Sequence, residues 1–157
     1  MIQETAVFWA LLITLVICSW ILIRDYKAKK MLLASGLSLK DEHQFILQIA
    51  QFFEDLKYEV NRKQRYLLIE KNEEKILVVP RLSNKLIKPH LVKDVMAAKG
   101  QYKANKAIII TNYRFNWVAK DMASMSKVEL WDGNKLCKEM VLAKSETSTG
   151  IQKNPTR

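Results

Sequence analysis

The sequence predicts an α/β domain, a mixed β-sheet flanked by helices, carried behind a single transmembrane helix. Three observations predict this class. Residues 5–23, TAVFWALLITLVICSWILI, contain no charge, and Arg24, Lys27, Lys29 and Lys30 follow directly. Short apolar runs rich in β-branched residues, YEV, YLLIEK and EEKILVV, come in close succession between residues 58 and 79. Beyond them, segments of helical period alternate with two further apolar runs, AIIIT and VELW. Strands that meet first in hairpins and later alternate with helices make a mixed sheet covered by helices.

The first element is the anchor. At 1.5 Å per residue, residues 5–23 reach roughly 28 Å as a helix, close to the hydrocarbon thickness of a bilayer. Trp9 and Trp20 sit near its ends, where amphipathic rings favour the headgroup zone. The tail before it holds only Glu4, so the positive-inside bias places the N-terminus outside and the rest of the chain in the cytoplasm, as at a bacterial inner membrane. A cleaved signal peptide would need a basic start and a small-residue cleavage site, and neither is present. A buried helix of a soluble protein would carry a polar stripe, yet only Thr14 and Ser19 interrupt this one. Residues 1–35 are thus expected to form the anchor and a juxtamembrane helix that stops near Gly36.

The domain is expected over residues 36–143. Ser38 opens its first helix, with Asp41 at the capping-box spacing. Phe45, Ile49, Phe52, Phe53 and Leu56 recur on one face of that helix. Three strands follow, over residues 58–60, 66–71 and 73–79, with Asn72 at the hairpin turn and Pro80 ending the third. Pro89 starts a helix reaching Tyr102, whose inner side is Leu91, Val92, Val95, Met96 and Tyr102. Residues 107–111 are a buried strand. A helix over residues 115–125 aligns Val118, Met122 and Met125, and Val128 to Trp131 is the last strand. A turn at Asp132-Gly133 leads into a final helix through about Leu142. Residues 144–157 are polar, without apolar period, and are expected to be a disordered tail.

Composition narrows the function classes. The chain carries +10, and since Glu4 is the one charge before Arg24, everything after the anchor is one unit more basic. That balance suits a polyanion, nucleic acid or anionic headgroups, although positive-inside topology alone accounts for the juxtamembrane cluster. The cysteines, Cys18 and Cys137, are too few for a disulfide framework or a zinc site, and His43 and His90 are the only histidines.

Several local strings resemble a known family. Phe45, Ala50, Phe52, Phe53 and Tyr58 match an opening helix of pattern F-E-x-x-x-A-x-L-L-x-x-x-G-Y; VMAAK at 95–99, AIIITNYRF at 107–115 and ELWDGNKL at 129–136 follow in order. The combination, covering roughly residues 41 to 142, resembles the Mrr-like (type IV) branch of the PD-(D/E)xK restriction endonuclease fold. The resemblance implies a catalytic set: an acid in the first helix, an Asp at the start of the second strand, and a Glu or Gln two residues before a Lys on the third. Those carboxylates would hold magnesium through oxygen ligands while the lysine assists the attacking water. Carried onto this chain, the four positions are occupied by Ile46, Tyr66, Val79 and Arg81. Arg81 keeps a positive charge, but its high pKa suits it to holding phosphate, not to moving protons. The resemblance therefore implies the fold with no catalytic residues and no metal. The literal E-x-K string, Glu73-Glu74-Lys75, falls at the hairpin and reads as a solvated turn; Glu70 is the one acid within reach of a shifted metal site.

A nucleic-acid surface remains as the expectation. Its candidate residues are Arg62, Lys63, Arg65, Arg81, Lys85, Lys88 and Lys93, all of which could contact phosphates without reading sequence. Lysines on the outer face of a helix, such as Lys93, Lys99 and Lys103, are equally what solvation alone would place there. Trp117 and Trp131 could stack on bases, but their apolar-rich segments favour core packing. Three function classes follow: a membrane-tethered DNA-binding protein without catalysis or cofactor; a scaffold subunit using the fold for protein contacts in a membrane complex; and a magnesium-dependent endonuclease with a rearranged site.

Overall fold

The computed structural model describes residues 41–149, together with residues 9, 12–19, 23 and 26. Of the expected anchor, only residues 9, 12–19 and 23 fall among them; they are helical, and Leu12, Ile13, Leu15, Val16 and Ile17 are exposed. Among the described residues, no helix is long and apolar enough to cross a membrane. The rest of residues 1–35, Tyr26 apart, the expected stop at Gly36, the expected start at Ser38 and residues 150–157 lie outside the described residues.

Helix α1 spans Glu42–Asp55 and is capped by Asp41 itself, whose carboxylate accepts from the backbone N–H groups of His43 and Gln44 at 3.3 Å. Aspartate is among the best N-cap residues, so it ends the helix without help from a capping box. Strands β1 (Glu59–Arg62), β2 (Leu67–Lys71) and β3 (Glu74–Arg81) form an antiparallel meander. The β2–β3 turn puts Asn72 at φ 50° and Glu73 at φ 65°, the left-handed pair that a two-residue hairpin requires. Then α2 (Pro89–Gln101), β4 (Lys106–Thr111), α3 (Trp117–Met125), β5 (Val128–Trp131) and α4 (Gly133–Thr149) alternate. The sheet order is β1-β2-β3-β4-β5, with β3, β4 and β5 parallel, so the mixed sheet is as expected.

Alternation of side chains across the sheet divides the core in two. Leu67, Ile69, Ile76, Val78, Ile108 and Ile110 face α1 and α4, meeting Phe45, Ile49, Leu136 and the buried thiol of Cys137. Leu68, Leu77, Val79, Ala107 and Ile109 face α2 and α3, meeting Val92, Val95, Ala119 and Ala123. Cover on both faces is why β3 and β4 read as unbroken apolar runs. Aromatics thicken the first layer: the Phe53 ring centroid lies 6.1 Å from that of Trp131.

Four details differ from the sequence expectation. Pro80 does not end β3; it pairs with Ile110 inside the strand. The β2 pairing stops at Leu67–Val78, so one side of Pro80 needs no ladder hydrogen bond and its missing N–H costs little. Helix α3 starts at Trp117, because Asn116 caps it by accepting from the Ala119 N–H at 2.7 Å. Its buried residues are Ala119 and Ala123, while Met125 is exposed, as is Met96 on α2. Asp132 does not make a free turn but accepts from the Lys135 N–H at 3.0 Å, opening α4, which runs on to Thr149.

Candidate functional site

The end of β3 opens into a cleft of about 780 Å³ between α1, the β1–β2 turn and the start of α2. Three elements position its walls. One turn of α1 presents Glu42, His43 and Ile46, spaced so that i and i+4 share a face. The turn before β2 supplies Gln64, Arg65 and Tyr66, and β3 supplies Val79, Pro80 and Arg81. The 82–88 loop is held down by Asn112, whose side-chain oxygen accepts from the Ser83 N–H at 2.8 Å, and it brings in Leu86 and Lys88. His90 and Asp94 close the site from α2.

The four positions carried over by resemblance, Ile46, Tyr66, Val79 and Arg81, all line this one cleft. Val79 is 3% exposed and forms part of its floor. Arg81 reaches across to α1, where its Nη1 donates to Glu42 Oε1 at 3.0 Å. Both side chains of that pair are about half exposed, so the bond orients Arg81 more than it stabilises the fold. Among the described residues, Arg65 and Lys88 have no ion-pair partner. Lys88 is also the N-cap of α2 and makes no side-chain cap bond, so the positive end of that helix faces the same space.

The structure divides the seven candidate DNA contacts. Arg65, Arg81 and Lys88 come together in the cleft, and Lys63, Lys85 and Lys93 do not line it. Arg62 is turned away, donating to Glu54 on α1 at 2.7 Å. The other acids singled out from the sequence are engaged elsewhere. Glu70 pairs with Lys75 at 3.0 Å and Glu74 with Lys106 at 2.6 Å, both on the surface, and Glu73 is in the hairpin turn. The hydrogen bond and charge of Glu74 hold the Lys106 ammonium above its ordinary pKa. A second hollow of about 450 Å³ lies between α3 and β5. Burial pushes its Glu129 upward, but hydrogen bonds from Lys135 and the Trp131 indole outweigh this and hold the carboxylate below its usual range. That acid is already committed.

The Mrr_cat family, described as restriction endonuclease, matches residues 40–140. The chain belongs to this family. The crystal structure of a protein of unknown function, AF1548, superposes on it with a TM-score of 0.53 at 15% identity, covering 69% of this chain and 70% of that one. At such identity the likeness speaks for the fold alone. No curated protein matches the chain.

An Mrr_cat restriction endonuclease domain implies magnesium, whose oxygen donors would have to come from the cleft. Magnesium keeps several waters and is usually held through one or two carboxylates together with substrate phosphates. Here Glu42 and Asp94 are the cleft carboxylates, and Glu42 is engaged by Arg81. Among the described residues no group of three or more His, Cys, Asp or Glu is placed to hold a metal ion. Sequence reasoning missed Glu42, His43, His90 and Asp94 as cleft residues. The first two were within reach of it, standing one turn before Ile46 on the same helix face; the α2 pair depends on how α2 docks. Trp117, assigned to the core, is 78% exposed, whereas Trp131 is buried as expected.

Proposed function

We propose that this Mrr_cat domain binds DNA through the cleft without cutting it, tethered to the cytoplasmic face of a membrane by residues 5–23. The observation that carries the reading is the make-up of the cleft. Three cations, Arg65, Arg81 and Lys88, surround positions where the resemblance calls for carboxylates and where Ile46, Tyr66 and Val79 stand. Such a site attracts phosphate and offers little to a metal ion. Guanidinium groups suit the task, since they stay charged and fork onto phosphate oxygens.

The test is binding and cleavage measured together on the full-length chain. At low salt it should retard a duplex and leave supercoiled plasmid intact with magnesium or manganese. Arg81→Ala should weaken binding by several-fold, the scale of one charge-assisted contact. Absence of binding would leave the scaffold reading in its place. The endonuclease reading draws on family membership and on the two cleft carboxylates; metal-dependent cleavage that disappears in Glu42→Gln would establish it.

The tether is supported by the uncharged run at residues 5–23 and the basic flank behind it. Alkaline phosphatase fused after Arg157 should be inactive in a bacterial host, and a fluorescent protein at the same place should be bright. Strong phosphatase activity would reverse the topology.

A further inference from the structure

Trp117 is the most exposed aromatic of the folded domain, 78% open to solvent at the first turn of α3. Nothing in the packing of α3 needs it. The helix is anchored through Ala119 and Ala123 and capped by Asn116. Tryptophan is enriched at binding interfaces, where its large ring supplies contact area and its indole N–H a polar handle.

Its place in the fold ties it to the cleft. The loop that carries Leu86 and Lys88 is stitched to the segment leading into α3 by a parallel bridge between Ile87 and Phe115. Ile87 N–H donates to the Arg114 carbonyl at 2.9 Å, and Asn116 N–H donates to the Ile87 carbonyl at 3.0 Å. Trp117 is the next residue after that link. Leu86, 50% exposed, belongs to the cleft lip on the other side of it.

The charges around the ring favour a polyanion. Lys88 stands across the link, Arg114 precedes the helix, and Lys120 lies one turn on, on the same face as Trp117. Asp121 is the one acid of α3, while Glu129 and Asp132, which share the second hollow with Lys120, are both engaged by Lys135. Exposed aromatic surface interleaved with cations is the arrangement that holds single strands, since every base has a face to stack and every linkage carries a phosphate. Paired bases inside a duplex do not offer those faces.

We infer that Trp117 is a stacking platform for an unpaired nucleobase, extending the cleft with a site for single-stranded nucleic acid. The inference leans on the DNA-binding reading only for the strand's path from cleft to ring. Fluorescence titration of the full-length chain in neutral detergent, with a short poly-thymidine strand, tests it. The emission present in the native chain and absent from Trp117→Phe should be quenched by the strand. Trp117→Ala should lose on the order of tenfold in single-strand affinity, with Trp117→Phe, which keeps a ring, losing less. Duplex affinity should not change in either variant. Single-strand affinity unchanged in Trp117→Ala would overturn the inference, even where Arg81→Ala weakens duplex binding and the cleft reading stands. The reverse pattern, a Trp117 effect with no Arg81 effect, would leave the platform and remove the cleft. An emission shift with phosphatidylserine vesicles and none with the strand would make Trp117 a membrane contact and overturn the inference as well.

Discussion

Raising salt from 50 to 200 mM should weaken duplex binding by the chain roughly 40-fold. The figure follows from three phosphate contacts, Arg65, Arg81 and Lys88, the candidate cations that line the cleft. Each contact contributes about 0.9 to the logarithmic slope, through release of condensed counterions. Were all seven candidate cations engaged, the same change in salt would cost roughly several-thousand-fold. Arg81→Ala should reduce the fall to about 12-fold, the value for two contacts. A slope near six would mean that Lys63, Lys85 and Lys93 lie on the binding face and that Arg62 leaves Glu54 to join them. A slope near zero would remove DNA as a ligand of the cleft.

Phe45→Ala should cost about 3–5 kcal/mol of stability. Phe45 is 0% exposed, at the centre of the core layer that α1 and α4 build on the sheet. Removing its ring forfeits the burial of the aromatic surface and leaves a hole that the surrounding helices and strands close only in part. Domains of this size are stable by about 5–15 kcal/mol, so the loss is a large share of the whole. The denaturant midpoint should fall while the slope of the transition stays the same. Met96→Ala, at an exposed position on α2, should change stability by no more than about 0.5 kcal/mol. An equal loss in the two variants would contradict the burial assigned to Phe45.

Most of the fold was legible in the sequence because its signals are local. Short apolar runs marked the strands, and the Asn72 turn and Pro89 set boundaries that the structure keeps. The order of elements followed from those signals alone. Where the reading went astray, a neighbour decided the outcome. Pro80 continues a strand because β2 has already ended beside it. Met96, Trp117 and Met125 are exposed because helices α2 and α3 meet through smaller residues, with Ala98, Ala119 and Ala123 on their inner sides. Hydrophobic periodicity favours large side chains and overlooks alanine when two helices approach closely. The cleft was legible as far as Ile46, Tyr66, Val79 and Arg81, which do converge. Its remaining members come from elements distant in sequence, and the Arg81–Glu42 bond joins residues whose proximity no local pattern encodes.

Cys137 turns this architecture into a chemical clock. The thiol is 2% exposed on the inner face of α4. An alkylating reagent therefore reaches Cys137 only while α4 is lifted from the sheet. Its labelling rate, set against that of the same thiol in the unfolded chain, reads the local opening free energy of that helix, with no introduced probe.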